Sequence, residues 1–577
     1  MKRALAAMLV ILMLASVLAG CTTLEKDDKG AIINMYLTNE VYNLDPQISV
    51  TDSAMQKVFS LTYEGLTRLD ENGKWQKALM KDYTIDKDNE DEFSILITLK
   101  TSYWSDGRTV QAADFVYSWK RLLDANAKYE AASLLYDLKN AYEIKMGDAS
   151  IDDLGVAAVD TYTLQVKFEK KIDLNDFFTN CTSVALVPLR EDVVTRYGDD
   201  LWAKKGTYII TNGPFIPKTI SSNLLRLERS QYYYLIRDKN EELDKYVIPY
   251  RLVTDYTAGN AEKQLEAYNA GTLLYIGELP LSQRAELKGK ATVSDMMVTQ
   301  SFMFNLNNEL FANPDVRKAL SLAIDREKVA EMLTFAKPAT GLIPEKAFNT
   351  GNGTSFRKEG GALLETAANV EEAKSLLSSS GVRGGSFSIK VRNTEADIAV
   401  AEYAAEVWES LGFYVDVEIV KTERNDVDPE VMDDLFEEAY NSGDFDVITV
   451  DVTLLSPDPF NTLSQYAVDY SGNGVDLYSE NYDLYGHVSG YASEEYNEII
   501  DKAYKAETKA ERAELLHSAE KLLLEDLPII PVAFLQDAYL ANSELSGFKT
   551  DYYGVRNFNR VLLKDYMSYK SAEDTEK

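Results

Sequence analysis

Carboxylates are the reactive side chains this chain holds in quantity: 93 aspartates and glutamates stand against two histidines and two cysteines. Acid–base work by two facing carboxyls, as in a glycoside hydrolase, is the catalytic arrangement such a composition supplies. With so many acids, however, close pairs arise by chance and single out no site. His487 and His517 lie far apart, with no cysteine or histidine at metal-ligand spacing, which argues against a zinc centre. No glycine-rich phosphate loop, HExxH helix or GxSxG elbow occurs. The expectation is no catalytic residue, no metal and no cofactor.

The first twenty residues differ from the rest. Lys2 and Arg3 precede an apolar run over residues 4–15, and LAGC places small residues directly before Cys21. The run is too short for a membrane span and reads as a secretory signal, residues 1–20. LAGC is similar to a bacterial lipobox, so Cys21 is the expected lipidation site and residues 21–30, polar and charged, the tether that follows it. Cys181 is then the one thiol left in the mature chain, which excludes an intramolecular disulfide. It reads as a buried small hydrophobe. The formal net charge of −33 becomes about −35 once Lys2 and Arg3 are removed. A surface so acidic repels nucleic acid and anionic headgroups.

The elements that would hold a site alternate between two periods. AIINMYLT, EFSILITLK and TYTLQVKF have strand character; Phe93, Ile95, Ile97 and Leu99 share one face, as do Tyr162, Leu164, Val166 and Phe168. In NPDVRKALSLAIDREKVAEML, residues Val316, Leu320, Ala323, Ile324 and Val329 recur at helical spacing. In KAERAELLHSAEKLLLED, residues Leu515, Leu516, Ala519, Leu522 and Leu523 form one stripe, with His517 at its boundary. Residues 102–124 read as strand, Ser105-Asp106-Gly107 turn and amphipathic helix, with Asp114 three residues after Gln111 as a capping acid and Trp104 and Trp119 as packing. Strands and helices interleave without a fixed repeat, which selects an α/β architecture over a solenoid. Residues 469–491 break the pattern, with several glycines and tyrosines at 470, 478, 482, 485 and 491. Aperiodic segments of this length are often functional, and tyrosine suits recognition.

WSDG followed by ADFVYSWKRLLD resembles the signature of the peptide and oligopeptide solute-binding proteins of ATP-driven importers. The resemblance extends in order through NLDP, YEGL, DDLGVAAVDTYTLQV, TNGPF, FNLNN, DVRKALSLAIDR and ERAELLHSAEKLLLEDLPIIPV. It implies a two-lobed periplasmic-binding-protein-like α/β fold of the large cluster C type, with mixed sheets, a strand hinge and an accessory domain. Lobe one would comprise residues 31–63, 189–301 and 537–577, the accessory domain residues 64–188, and lobe two residues 302–536. The implied function is a receptor that clamps an oligopeptide between its lobes and delivers it to the transmembrane subunits of an ABC permease. It would act as a monomer, anchored through Cys21 on the outer face of the cell membrane, or be periplasmic in a Gram-negative cell. Family members that take oligosaccharides, nickel or signalling peptides keep a non-peptide solute open, although two histidines disfavour nickel. A secreted carboxylate hydrolase is the enzyme alternative.

Carried over by position, the resemblance puts the lobe-one binding edge at Val50, Thr51, Asp52 and Ser53, an adjoining wall at Gly277 and Glu278, and the lobe-two edge at Asp451, Val452 and Thr453. Where the oligopeptide-binding type has an arginine and an aspartate that neutralises the ligand's terminal ammonium, this chain has Thr449 and Leu455. A buried ammonium without a counter-ion is costly, which leaves Asp451 and Asp458 as substitutes; for Asp458 the competing reading is a turn-stabilising acid in SPDP. Cys181 stands where such a relative has a histidine near the ligand. The tyrosines of residues 469–491 are candidates to cover one end of the cleft.

Overall fold

The computed structural model describes residues 29–89, 92–237, 246–348, 354–476 and 484–569. The leader, Cys21, Tyr478 and Tyr482 lie outside them. An eleven-stranded mixed sheet runs through the molecule. Strands that border the cavity described below include β1 (Ile32–Tyr36), β2 (Thr292–Phe304), β3 (Ser386–Arg392), β4 (Val447–Thr453) and β5 (Ile529–Ala541).

In one lobe, β1 lies parallel to Arg251–Asp255 and to Tyr275–Ile276, and a hairpin of Phe215–Ser221 and Leu224–Arg229 completes that side. In the other, β4 pairs antiparallel with β2, and β3 pairs parallel with Tyr414–Val420. The antiparallel pair β2–β5 joins the two halves. Thr292–Asp295 pairs with Tyr539–Gln536 toward one half, and Thr299 resumes opposite Phe534 toward the other. Between these points residues 296–298 face the single residue Leu535. An interrupted ladder of this kind bends and twists a strand pair, and here it lies where the lobes meet.

The accessory sheet has four antiparallel strands in the order Met80–Asp88, Phe93–Leu99, Thr163–Phe168, Val156–Asp160. Phe93, Ile95, Ile97 and Leu99 are buried, as alternation predicts, opposite Leu164, Val166 and Phe168; Tyr162 falls in the preceding turn. The helix Ala112–Leu122 covers this sheet with Phe115, Trp119 and Leu122. Gln111 and Asp114 form its capping box, and Trp104 Nε1 donates to the same Asp114 at 2.9 Å. Gly107 supplies the turn's positive φ of 87°.

One periodic segment behaves differently from its spacing. Residues 313–333 form two helices, Pro314–Ala323 and Arg326–Leu333, with Asp325 capping the second through the Lys328 amide. The break turns Arg326 inward, where its guanidinium donates to the Pro531 carbonyl and Ser321 Oγ. The helix Lys509–Asp526 buries Leu516, Ala519 and Leu523 as expected, but Glu520 lies fully buried beside them. Its carboxylate accepts from the Leu342 and Ile343 amides and from Arg357 at 2.6 Å.

The accessory domain also clasps the second lobe. Tyr129 N donates to Gly472 O at 3.2 Å and Val475 N to Ala125 O at 3.0 Å. Tyr470 packs against Tyr142 with ring centroids 4.9 Å apart. Gly472 and Gly474 both have positive φ, and a Cβ on Gly474 would stand 2.0 Å from Ala125 O. Gly474→Ala is therefore expected to lower stability by on the order of 2 kcal/mol. Gly289→Ala, with nothing within 4 Å of the added carbon, should stay within about 0.5 kcal/mol. Thermal melts of the two variants distinguish a required close approach from a general intolerance of glycine replacement.

Candidate functional site

A cavity of about 870 Å³ lies between the lobes, near the upper end for ligand sites. Val50, Thr51, Asp52 and Ser53 line it from the first lobe with Gly277 and Glu278, and Asp451, Val452 and Thr453 line it from the second.

The first wall is built around one helix start. Asp52 caps Ser53–Thr62 by accepting from the Ala54 and Met55 amides at 2.8 and 3.0 Å, and its second oxygen accepts from Tyr42 Oη at 2.7 Å. One turn on, Lys57 donates to the Gly277 carbonyl at 3.0 Å and forms ion pairs with Glu278 and Asp537. The Gly277 amide is held by Tyr36 O at 2.7 Å, and a Cβ there would meet Leu37 O at 2.4 Å. Only glycine lets this loop sit so close to β1.

The second wall is a strand edge. Val447 and Ile448 of β4 pair with β3, but Thr449 to Thr453 pair only with β2. The other side of those five residues faces the cavity. A strand edge with unpaired amides and carbonyls is a template for another extended chain. Across the gap, Thr453 Oγ1 donates to Thr51 O at 2.8 Å. Arg392, at the end of β3, bonds Asp434 at 2.8 Å and Tyr42 Oη at 2.7 Å and approaches Asp52 at 3.5 Å. These contacts hold the lobes together over the cavity.

Asp451 lies deep in this enclosure, and among the described residues its carboxylate has no hydrogen-bond or ionic partner. Burial first, then repulsion from Asp397 and Asp52, pushes its carboxyl up to about 8, with Arg392 partly opposing. Asp397 is itself held by Thr394 Oγ1 and Gln300 Nε2 at 2.6 and 2.7 Å. Glu437, in the first turn of the helix Leu435–Ser442, also lines the cavity and is likewise pushed up to about 8, by burial and then by Asp434.

Asp458 is corrected. It lies outside the cavity lining, its carboxylate forked onto Arg512 at 3.0 and 2.8 Å while one oxygen also accepts from the Phe460 amide at 3.0 Å. Those bonds use the oxygens an ammonium would need, so it acts as the turn acid. Leu455 is packed in the core, Thr449 lines the cavity, and Cys181 is buried outside it. The described tyrosines among those expected over the cleft also have another place. Tyr470 bonds Asp501, Tyr491 bonds Asp526, and Tyr485 lies under Lys128; none lines the cavity. From this segment His487 reaches the cavity instead, stacked on Tyr466 with centroids 4.3 Å apart and its Nδ1 bonded to Ser489 Oγ. Burial pushes the imidazole down to about 3, so it is neutral. Arg392, Gln300, Asp397, Glu437 and His487 escaped sequence reasoning, since each joins the site only through segments distant in the chain.

Two lobes joined by a bent strand pair and closed over a polar cavity define a solute-binding receptor. The chain belongs to the bacterial extracellular solute-binding proteins of family 5: residues 74–474 match the family described as "Bacterial extracellular solute-binding proteins, family 5 Middle". The oligopeptide-binding protein OppA of Bacillus subtilis is 27% identical over 551 residues, 91% of each chain. The structure of Listeria monocytogenes OppA bound to peptide superposes with a TM-score of 0.75 at 23% identity, covering 93% of this chain and 99% of that one. The Escherichia coli murein tripeptide binding protein MppA, at 23% identity and 93% coverage of this chain, scores 0.74 in one structure, covered to 99%, and 0.54 in its unliganded open form, covered to 98%.

The Asp451 environment has a stability signature. An unfolded aspartate ionises near pH 4, whereas this one resists ionisation up to about 8. The penalty is absent below pH 4, grows from pH 4 to 8 and is constant above. Asp451→Asn should stabilise the ligand-free protein by on the order of 2 kcal/mol at pH 7.5, and by progressively less toward pH 5. A pH-independent difference in melting temperature contradicts the assignment.

Proposed function

We propose that the protein is an extracellular receptor that holds an oligopeptide between its lobes and delivers it to the transmembrane subunits of an ABC permease, without breaking any bond in it. The observation that carries this reading is the free edge of β4, Thr449 to Thr453, facing a closed cavity. Main-chain pairing along such an edge gives affinity independent of side-chain identity, and the names of the OppA relatives support a peptide as the extended partner. Asp451 then takes the terminal ammonium in place of the acid that Leu455 lacks, with Val50, Thr51, Asp52 and Ser53 and the loop at Gly277 and Glu278 as the facing wall.

In the proposed division, residues 31–63, 189–301 and 537–577 form lobe one, residues 64–188 its accessory domain and residues 302–536 lobe two, the interrupted β2–β5 register serving as hinge. Cys21 after LAGC supports a lipid anchor on the outer membrane face, with the receptor acting as a monomer.

Calorimetry with tri- and pentaalanine, free and N-acetylated, tests the reading. The free peptides should bind and be recovered intact, and acetylation or Asp451→Asn should each weaken binding about tenfold or more. Equal affinity for acetylated peptide removes Asp451 as the ammonium site, and hydrolysed peptide removes the receptor reading. The groups facing Asp451 are Asp397, Asp52 and Arg392. Binding an ammonium requires the ionised carboxylate, so a proton is released on binding below about pH 8. Affinity should fall from pH 8 to 6, and also above pH 8, where a peptide's own amine deprotonates.

A further inference from the structure

The cavity carries more negative charge than one ammonium neutralises. Ten carboxyl groups line it against five lysines and arginines; four of those cations are engaged within the protein, and the fifth, Lys421, is solvent-exposed. Lys57 is held by Glu278 and Asp537, and Arg392 by Asp52 and Asp434. Arg284 donates to the Leu279 and Leu333 carbonyls, and Lys128 covers the Tyr485 ring. Among the described residues, no lysine or arginine forms an ion pair with Asp451 or Glu437.

The unfilled hydrogen-bonding capacity has the same sense. Gln300 is 2% exposed and stands opposite Asp451 in the β2–β4 register; its Nε2 is used by Asp397, while its Oε1 is buried without a donor. Glu40, also in the lining, has a buried Oε1 in the same condition. Both atoms accept and neither donates, so the occupant that satisfies them brings hydrogen-bond donors, as the N–H groups of a cationic side chain do. Glu437 is not needed to complement its helix dipole, because Glu438 occupies the same first turn in water. A carboxylate kept in an enclosed space without a partner is destabilising, and a cation arriving with the ligand relieves it.

We propose that the ligand carries a basic side chain in addition to its terminal ammonium, and that Glu437 is the specificity-determining residue that receives it. This rests on the peptide reading above and narrows it to lysine- or arginine-bearing peptides. Glu437 is surrounded by Asp434, Asp52, Arg392 and Lys204, with Glu130 already bonded to Tyr440 Oη at 2.5 Å one helical turn away. Its carboxylate is therefore the unengaged acceptor on that wall.

The test uses the full-length mature protein and alanine tri- and pentapeptides in which one residue at a time is lysine or its neutral near-isostere norleucine, titrated calorimetrically at pH 8. At one position at least, lysine should bind about tenfold tighter than norleucine, and in Glu437→Gln that ratio should fall to within about twofold while Glu437→Asp retains part of it. Melting curves of both variants without ligand establish that they fold. Equal binding of lysine and norleucine peptides at every position, or a preference that survives Glu437→Gln, overturns the assignment of Glu437 and leaves the peptide receptor standing. Binding of none of the peptides overturns both.

Discussion

Among the described residues, the β2–β5 pair is where the large sheet runs on from one lobe to the other, and it is also where the ladder is broken, between Asp295 and Thr299. A strand pair with full pairing is stiff; three residues facing one remove hydrogen bonds and give the chain room to bend. Everything that defines the cavity is placed relative to this break. β4 hangs on the second-lobe end of β2, and Asp537 at the first-lobe end of β5 helps fix Lys57 and, through it, the Gly277 loop. Closure brings Thr453 to Thr51 and Arg392 to Asp52, contacts that join residues more than three hundred positions apart.

Closure also takes charge out of water. Arg392 crosses the gap with compensation from Asp434, Asp52 and Tyr42, so its burial is supported on both sides. Asp451 and Glu437 have no such support, and each stays protonated more readily than an ordinary carboxyl for that reason. A receptor of this design is incomplete without its ligand: the protein supplies acceptors and a strand edge, and the ligand supplies donors and positive charge. Ligand-driven closure then follows from differential affinity, because the closed form alone offers both walls at once.

The sequence made the scaffold legible where one face of an element is buried. Phe93 to Leu99 alternate against Leu164, Val166 and Phe168, and the Gln111–Asp114 capping box marks a helix start, because local spacing and local hydrogen bonds decide those features. It did not reveal the helix break before Arg326, since apolar spacing continues across it and the cause, Pro531 O, lies 205 positions away. Asp458 was ambiguous for the same reason: its partner Arg512 is 54 positions on. The segments bordering the cavity, residues 50–53, 277–278 and 451–453, emerged from resemblance to a family rather than from their own composition. Glu437, Gln300 and His487 emerged from neither, because only the fold shows which acids and amides converge without partners. Tyr470, Tyr485 and Tyr491 look suited to ligand by composition and instead bind the accessory domain and the core; their neighbours Gly472 and Gly474, which permit backbone contact, explain why the segment has no periodicity.

The central claim is that a peptide completes the sheet along β4. Amide hydrogen exchange of the protein with and without a saturating peptide measures this directly. The account predicts that protection on binding concentrates in residues 449–453 and in the facing residues 50–53, with little change in the accessory sheet at Phe93–Leu99. A peptide that binds tightly while the amides of residues 449–453 exchange as fast as before contradicts it.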